Sequence, residues 1–522
     1  MTRARQAFRH MAMPKYAAID IGSNSVRMLA AEAEPGGAVN ALAEERQVTR
    51  LGEGVFLTGE IDEASMTLTL NTLDRMVRAY RTQNVLAARV VATSAVRDAQ
   101  NQAVFLERAA AIAGQPVEII SGQEEARLIH LGVESKWPHP DERLLIIDIG
   151  GGSAEIIEAE DSRLKHAFSR PLGAVRLQSV FLKNDPPSRD DLSRLEEFIE
   201  QKLAVAAQKM GSRHFDLAIG TAATASSAVC AANRIARADR DAADRKKVST
   251  AQLRRLYRTL SKMDVAARRK IAGVGYRRAE IILPGVAVLL RALETFGLNS
   301  MNYCSAGVRD GIIRDLADRG AGRERAHLNG EQREMVELFA RRFGVDLKHA
   351  RRVAHFSMEL FHALENLHQL SSGEGRLLEA AAYLCDVGHA ISDTGHHKHS
   401  LYIVSNADLG GFTDIERLQV AMLCRYHRKS MPQTRHGDFM ALPAENRRSI
   451  TLLTPLLRIA DALDRSREQR VDEIECTLGD GGVTLKLKAN QDTGLEKWAV
   501  ESAAPAFRQV FEVPLMVETL PL

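Results

Sequence analysis

Two short segments of the sequence have residues that could bind phosphate and a metal ion. In each, an apolar strand ends in an aspartate and is followed by glycine and small polar residues. Such a turn can present backbone N–H groups to phosphate oxygens, and the aspartate beside it is a ligand for a hard cation. The first segment supplies Asp20, Gly22, Ser23, Asn24 and Ser25, and the second supplies Asp148, Gly150, Gly151, Gly152 and Ser153.

A single segment of this kind could be an ordinary hairpin turn, but two copies at corresponding places are more specific. Both lie between strand-like runs within alternating strand and helix patterns, which predicts an internal duplication of two α/β halves. We therefore expect a cleft in which a phosphoryl group is held from both sides. Neither GxxxxGK[ST] nor a GxGxxG that opens a helix occurs, so a P-loop or Rossmann site is not supported.

The pattern along the chain predicts five segments. They are a disordered leader at 1–14, a first α/β half at 15–134, a second half at 135–318, a mainly helical region at 319–470 and a small α/β appendix at 471–522. The charged, apolar-poor stretch 318–332 is interpreted as a linker. In the appendix, two strand-like runs flank a GDGG turn and predict a hairpin.

Composition narrows the class of protein. Lys and Arg number 70 against 67 Asp and Glu, which argues against a dedicated nucleic-acid-binding protein. The leader lacks the apolar core of a secretory signal, and no run of about 18 apolar residues occurs, so neither export nor a membrane span is predicted. The 5 cysteines are scattered without a CxxC pair, which favours a reducing cytoplasm.

Two adjacent glutamates begin a predicted helix. Ser121 and Glu124 have the S-x-x-E spacing of a capping box, which gives Glu124 a structural use. Glu125 has no such use, and in the first helical turn it could face the cleft and take a proton from an attacking water. The alternative is that Glu125 only complements the helix dipole.

Five stretches of the sequence resemble a known family: AAIDIGSNSVRML, VVATSAVRDAQN, IISGQEEARLIHLGV, LLIIDIGGGSAEII and, more weakly, SAGVRDGII. They are similar to the actin, hexokinase and Hsp70 superfamily, and more closely to the exopolyphosphatase and guanosine pentaphosphate phosphohydrolase (Ppx/GppA) family. The resemblance implies duplicated actin-like, ribonuclease H-like halves and a hydrolase that cuts terminal phosphoanhydrides. It also implies that Glu125 is the catalytic glutamate.

Further residues fit this chemistry. Asp148 and Glu155, seven apart, could hold Mg²⁺ or another divalent ion, with Asp20 contributing from the opposite half. Arg97 could contact phosphate oxygens with both guanidinium nitrogens, and a surface salt bridge is its alternative role. Its loop departs from the commoner family form, because Ser94-Ala95 stands where Asn-Thr is usual.

A basic stretch between residues 234 and 278 has 15 Lys and Arg against 4 acidic residues. A solvated helix face is one interpretation. The other is an electrostatic track for a long anionic chain, with Arg268, Arg269 and Lys270 among the binding residues. Aromatic residues are sparse there, which favours phosphate without bases.

The helical region resembles the HD-like domain of long Ppx/GppA proteins. His355, Cys385-Asp386 and Asp461 occur in the order of a metal-dependent HD phosphohydrolase, but a cysteine stands where a histidine is needed, so we expect a degenerate, non-catalytic domain. Capping or surface roles are predicted for His389, His396, His397, His399, His427 and His436. This region could pack on the first two segments, extend an anion channel or form a homodimer contact.

The sequence therefore predicts a Mg²⁺-dependent exopolyphosphatase that releases orthophosphate from inorganic polyphosphate. Hydrolysis of pppGpp to ppGpp by the same residues is the nearest alternative. A non-enzymatic sensor of polyphosphate or guanosine nucleotides, or a kinase of the same superfamily, are further alternatives.

Overall fold

The computed structural model describes residues 13–211, 214–319, 327–328, 330–479 and 481–520. It divides into two compact units, unit 1 at residues 1–322 and unit 2 at residues 323–522. Nearly all of the predicted leader and most of the predicted linker lie outside the described residues. Within the described ranges, every helix is too short or too polar to cross a bilayer.

The first half of unit 1 is a five-stranded sheet with helices on both faces. The strand order is β3-β2-β1-β4-β5, in which β1, β2 and β3 form an antiparallel meander and β4 runs parallel to β1. Its elements are β1 (Lys15–Ile21), β2 (Ser25–Glu32), β3 (Asn40–Val48), α1 (Leu51–Thr58), α2 (Glu63–Arg81), β4 (Ala87–Ala92), α3 (Ser94–Asp98), α4 (Gln102–Ala113), β5 (Glu118–Ile119) and α5 (Gly122–Lys136).

The second half repeats this plan. Its sheet has the order β8-β7-β6-β9-β11, with the additional strand β10 at the edge, and β9 again runs parallel to the first strand of the half. Its elements are β6 (Arg143–Ile149), β7 (Ala154–Glu160), β8 (Arg163–Arg170), α6 (Ala174–Phe181), α7 (Arg189–Met210), β9 (Leu217–Thr221), α8 (Ala222–Asn233), β10 (Lys247–Ser249), α9 (Thr250–Leu260), α10 (Val265–Arg268), α11 (Ile282–Thr295), β11 (Ser300–Tyr303) and α12 (Val308–Asp318). The predicted duplication of α/β halves is thus confirmed.

Apolar periodicity explains why these segments become strands and helices. Successive residues of β6 enter different cores, since Leu145 and Ile147 pack on one face of the sheet and Ile146 on the other. Both faces of this strand are covered, which accounts for its unbroken apolar run. In α7, Ser188 caps the helix, and the buried residues recur at helical spacing: Leu195, Ile199, Leu203, Ala206 and Met210.

Helices α5 and α12 connect the two halves. Leu128 of α5 packs in a core with the first sheet, while Ile129 and Val133 of the same helix pack in a core with the second. Helix α12 joins the first sheet through Ile312 and Ile313. The predicted boundaries therefore need correction, because α5 crosses the 134/135 boundary and α12, assigned to the second half, packs on the first sheet.

Unit 2 is mainly helical, as predicted. Its elements are α13 (Gly330–Arg342), α14 (Leu347–Ala363), α15 (Glu365–His368), α16 (Ser372–Leu384), α17 (His396–Ser405), α18 (Asp414–Tyr426), α19 (Gly437–Met440), α20 (Ala444–Ala462), β12 (Glu473–Gly479), β13 (Gly482–Lys488), α21 (Gly494–Phe511) and β14 (Leu515–Leu520). A 3₁₀ helix (Val387–Ala390) follows α16.

The C-terminal appendix is part of the same core as the helices. Strands β12 and β13 form the predicted hairpin, and α21 leads to β14, which pairs parallel to β13. Leu485, Leu487 and Phe507 pack in one core with residues of α14, α16, α18 and α20. The expected separate appendix at 471–522 is therefore an integral part of unit 2.

Candidate active site in unit 1

The two predicted phosphate loops are equivalent hairpin turns. The Gly22 N–H donates to Ser25 O at 3.2 Å in the first, and the Gly150 N–H donates to Ser153 O at 3.0 Å in the second. A Cβ atom on Gly151 would lie 2.9 Å from Ser23 Cβ, so the loops touch at a position where only glycine fits. Both loops line one cavity, which offers about 100 Å³ to water-sized molecules.

Four carboxylates from four elements line this cavity: Asp20 from β1, Asp148 from β6, Glu125 from the first turn of α5 and Asp310 from the first turn of α12. Glu155 is buried beside them, because Asp148 and Glu155 are paired neighbours on the antiparallel strands β6 and β7. Thr221 Oγ1 donates to Asp148 Oδ2 at 2.5 Å, and Ser169 Oγ donates to Glu155 Oε1 at 2.8 Å. The spacing of seven thus brings the two acids together across a hairpin.

The electrostatics of this group fit a divalent cation. Burial raises the pKa of Asp20 to about 6 and, together with nearby Asp148, raises the pKa of Glu155 to about 8. Burial, followed by repulsion from Glu155, also raises the pKa of Glu125 well above its usual value. Among the described residues, buried oxygens of all three lack a hydrogen-bond partner: Asp20 Oδ1, Glu125 Oε2 and Glu155 Oε2. Oxygen donors crowded in this way are the ligand set that Mg²⁺ prefers.

Arginines that the sequence analysis did not select also line the cavity. Arg27 pairs with Asp20 across the first hairpin, in the register that Glu155 has opposite Asp148 in the second. Arg309, near the start of α12, donates to Met28 O at 2.9 Å. Alignment of the two loops would have revealed Arg27, since both partners lie seven residues after the aspartate. These cations offset the charge on Asp20 and are suited to phosphate oxygens.

The two adjacent glutamates of α5 face different surroundings. Ser121 caps the helix and accepts from the Glu124 N–H at 3.1 Å, as predicted. The Glu124 carboxylate, however, binds Arg127 at 2.7 Å and Arg89 at 3.3 Å within a buried ionic network. Asp315 of α12 belongs to the same network, 2.8 Å from Arg127. This network fixes the first turn of α5 so that the next residue, Glu125, faces the cavity.

Arg97 lies beside Glu125, outside the lining of the cavity. Its guanidinium donates to Ile120 O at 2.5 Å and lies 3.8 Å from Glu125 Oε2. Of this loop, Thr93 and Ser94 line the cavity, and Arg97 is not among the lining residues described. The geometry thus makes Arg97 a neighbour of Glu125, and its bidentate contact with phosphate stays a prediction.

The predicted basic cluster is not a continuous surface. Arg268 is only 1% exposed and donates to Leu260 O, because α9 ends at Leu260 and its last carbonyl groups need a donor. Arg269 is paired with Glu280 at 3.3 Å and stacks over the Tyr276 ring at 3.7 Å. Lys270 alone of the three is exposed. The prediction that Arg268, Arg269 and Lys270 form one track was therefore wrong for Arg268.

Other arginines of the basic stretch line a second cavity, together with Arg46. This cavity of about 190 Å³ shares Asn24, Ala223 and Arg278 with the first. Four arginines line it: Arg46, Arg240, Arg277 and Arg278. Of the described residues that line this second cavity, none is acidic and none is aromatic.

In unit 2, the structure corrects the predicted HD-like residues. His355 is 53% exposed beside Glu359, and His349 instead contacts Asp461 at 3.4 Å and Asp464 at 2.8 Å. One turn and a half of α14 separates the two histidines, so only one of them can face the interior. Of the predicted capping or surface roles, the surface alternative was wrong for His396, His397 and His427, because all three are buried. The capping alternative fits His427, which follows α18 and whose Nδ1 lies 2.6 Å from Cys424 O in the last turn.

Two equivalent glycine turns, four carboxylates and three arginines thus meet at one cavity. Backbone N–H groups and guanidinium groups are suited to phosphate oxygens, and carboxylate oxygens are suited to a hard cation. A family model described as the Ppx/GppA phosphatase family matches residues 29–320, and a model of its domain III matches residues 332–502. The chain belongs to the Ppx/GppA phosphatase family.

Solved structures agree with this assignment. The Aquifex aeolicus member of the Ppx/GppA family is 28% identical, with a TM-score of 0.53 over 59% of this chain and 99% of that one. An exopolyphosphatase-like protein is 25% identical, with a TM-score of 0.56 over 59% and 98% of the two chains. An exopolyphosphatase from Cytophaga hutchinsonii, 24% identical over 58% of this chain and 98% of that one, has a TM-score of 0.54 and shows the shared fold.

Proposed function

We propose that this chain is an exopolyphosphatase that hydrolyses the terminal phosphoanhydride of inorganic polyphosphate. The observation that carries the proposal is the second cavity, whose four arginines continue directly from the carboxylate-lined cavity. A terminal phosphoryl group in the first cavity would leave the rest of an anionic chain beside these arginines. Guanine is often bound by stacking on an aromatic side chain, and no aromatic side chain lines the second cavity in the described residues.

In the proposed reaction, Glu125 is the general base. A water molecule attacks the terminal phosphorus, the bond from phosphorus to the bridging oxygen breaks, and the shortened chain leaves with that oxygen as an anion. The proton of the water passes to the Glu125 carboxylate. Its raised pKa suits this role once nearby cations keep it ionised, because a stronger base removes a proton more readily.

The other residues bind and orient the phosphoryl group. Arg27 and Arg309 would contact its oxygens, and the turns at Gly22 and Gly150 would hold it from two sides. Asp20, Asp148 and Glu155 would hold Mg²⁺, which when bound neutralises charge on the phosphate oxygens. Another divalent ion could replace Mg²⁺ at these oxygen donors.

The test compares phosphate release from long-chain polyphosphate and from pppGpp, at matched terminal-phosphate concentration with Mg²⁺. We expect faster release from polyphosphate. The Glu125→Gln variant should bind the chain but turn over roughly 10²–10⁴-fold more slowly, because it lacks the proton acceptor. Glu107→Gln, an exposed glutamate on α4, is the matched control and should keep the wild-type rate.

Each other outcome has a definite meaning. Faster release from pppGpp would assign the chain to the guanosine pentaphosphate hydrolases and overturn the proposed substrate. Tight binding without release would indicate a sensor, and transfer of phosphate to ADP would indicate a kinase. Unchanged turnover in Glu125→Gln would remove Glu125 from the role of base.

A further inference from the structure

Arg176 of α6 joins the second phosphate loop to the first half of unit 1, and it has no part in the reaction proposed above. Its guanidinium donates to Gly152 O at 2.8 Å through Nε and to Ser94 Oγ at 3.2 Å through Nη2. Nη2 also pairs with Asp98, at the end of α3. The guanidinium carbon lies 4.0 Å from the centre of the Phe56 ring of α1. The first of these partners belongs to the second half, and the other three belong to the first half.

The start of α6 fixes the direction of the peptide groups in the second loop. The N–H of Ala174 donates to Gly150 O at 3.0 Å, and that of Arg176 donates to Gly151 O at 3.1 Å. Arg176 Nε binds the third carbonyl of the loop, at Gly152. In a trans peptide the C=O and the following N–H point in opposite directions. The N–H group that follows each of these three carbonyls therefore points away from α6.

Those N–H groups are available to an anion. Gly151, Gly152 and Ser153 line the candidate active site, and in the described part of the chain none of their N–H groups donates to a backbone carbonyl. The first loop is held in a similar way, because Ser23 O accepts from the Gly52 N–H at 2.8 Å, at the start of α1. In both loops, carbonyl groups bind the start of a helix, so that N–H groups can turn toward phosphate oxygens.

At Gly152 the two halves touch without room for a side chain. A Cβ atom there would lie 2.5 Å from Ser94 Oγ, 2.6 Å from the Phe56 ring and 2.7 Å from Ser23 Oγ. Phe56 packs against the cores of both halves. The small side chain of Ser94 fits beside the loop and still accepts from Arg176. The guanidinium thus binds at the point where direct contact sets the spacing between the two loops.

We propose that Arg176 is a positioning residue that holds the two phosphate loops at the spacing at which the terminal phosphoryl group lies in line with the water activated by Glu125. This role rests on the proposed hydrolysis at the first cavity. Arg176 lies outside the cavity lining described, so it acts through the loop and is not a ligand of the substrate. A planar guanidinium suits the role, because its fixed N–H groups can bind several acceptors at once.

Loss of the guanidinium should lower kcat more than it raises KM. The Gly152 carbonyl would lose a donor and the halves would lose an ion pair, so the phosphoryl group would be held less accurately. A misplacement of about 1 Å can lower a rate by about 10²-fold. The affinity for a long chain depends, in contrast, on the arginines of the second cavity, and Arg176 is not among its described lining residues.

The first measurement is steady-state hydrolysis by Arg176→Met, which keeps an apolar stem beside Phe56 but has no N–H donor in its side chain. We expect a kcat about 10–100-fold lower, with KM changed less than about threefold, on whichever of polyphosphate and pppGpp is hydrolysed. Arg291→Met is the matched control, because Arg291 is 27% exposed against 21% for Arg176 and pairs with Glu196 and Glu294 of the second half. The control should be less stable than wild type but keep both constants.

The second measurement needs no substrate. Amide hydrogen exchange in the ligand-free protein should be faster in Arg176→Met than in wild type, both in the segment 150–176 and in α3, because the guanidinium joins the two. Arg291→Met should leave exchange in α3 unchanged. Faster exchange in 150–176 alone would show that Arg176 serves only its own half, and would overturn the proposal.

The two measurements separate this proposal from the proposed function. An unchanged kcat in Arg176→Met would overturn the positioning role, and so would an equal loss of kcat in Arg291→Met. Preference for pppGpp would change the assigned substrate and leave this role intact. A wild type that hydrolyses neither substrate would overturn the proposed function, and the link between the halves would then be judged by exchange in α3. If Arg176→Met fails to fold, Asp98→Asn takes its place with the same split between kcat and KM expected, because it removes only the ion pair.

Discussion

Adjacent residues in the first turn of α5 show how burial assigns roles to single side chains. Glu124 faces two arginines, which outweigh burial and lower the pKa of its carboxyl group. Glu125 faces other carboxylates, so burial and repulsion raise its pKa. The same residue type thus becomes a permanent anion in one position and a proton acceptor in the next.

A testable prediction at the scale of single residues concerns His130, which follows Glu125 on α5. Burial lowers its pKa to about 4, whereas an unfolded histidine has a pKa of about 6.5. The unfolded state therefore binds more protons between these values, so stability is complete above pH 6.5 and is lost as pH falls toward 4. His130→Leu should remove this dependence, which amounts to roughly 2 kcal/mol between pH 7 and pH 5.

The measurement is urea unfolding of unit 1 at both pH values, followed by Trp137 fluorescence in a Trp498→Phe background. Only the difference between wild type and variant is compared, because buried carboxylates titrate in both. His214→Leu, which removes an exposed histidine, is the control and should keep the wild-type pH dependence. If the stability of His130→Leu depends on pH as strongly as that of the wild type, the pKa of His130 must be the same in the folded and unfolded states.

At the scale of elements, α5 and α12 are held together by buried charge. Arg127 binds Glu124 and Asp315 at 2.7 and 2.8 Å, and all three side chains are less than 8% exposed. Removal of one partner from a buried ionic network leaves uncompensated charge. The packing of α5 against α12 therefore depends on the complete network, and the orientation of Glu125 depends on that packing.

Arg127→Met should lower the free energy of unfolding of unit 1 by about 3 kcal/mol. We also expect a lower kcat with little change in KM, because the general base loses its fixed position. Arg108→Met breaks an exposed pair with Glu63 and should cost less than about 1 kcal/mol. Urea unfolding and initial rates measure both effects, and equal losses in the two variants would contradict the special role of the buried network.

At the scale of the whole molecule, charge is distributed unevenly although the total is nearly balanced. The formal net charge is +3, yet four arginines line the cavity beside the candidate active site. Such a local positive potential attracts a polyanion and weakens with added salt. Long polyphosphate chains should therefore bind more tightly than short ones, and this difference should shrink as the ionic strength rises.

The double variant Arg240→Ala, Arg277→Ala tests this surface. The KM for long-chain polyphosphate should rise about tenfold and depend less on salt, while tripolyphosphate should be little affected. Arg258→Ala, an exposed arginine of α9 outside both cavities, should behave as wild type. An equal rise for tripolyphosphate would mean that the arginines act on the terminal phosphate alone.

Local patterns of the sequence were sufficient for much of the fold and of the candidate site. The repeated turns predicted the duplication, and strand ends predicted that Asp20 and Asp148 would meet. The alternating strand and helix patterns predicted the α/β class of both halves. These features depend on spacing along a strand or helix, which the chain order specifies directly.

Other features depend on which residues from distant segments face each other. Arg268 is buried because α10 packs with its last turn inward, and a run of basic letters contains no information on that packing. His349 rather than His355 faces Asp461 because α14 presents one face to α20. Two groups of side chains share Asp386: one adds Cys385 and His427, and the other adds His389 and His396. They lie close together only because the ends of α16, α17 and α18, up to 42 residues apart in the chain, pack against one another. Packing therefore determined the arginine-lined cavity and the two groups around Asp386, and neither follows from the local pattern of residues.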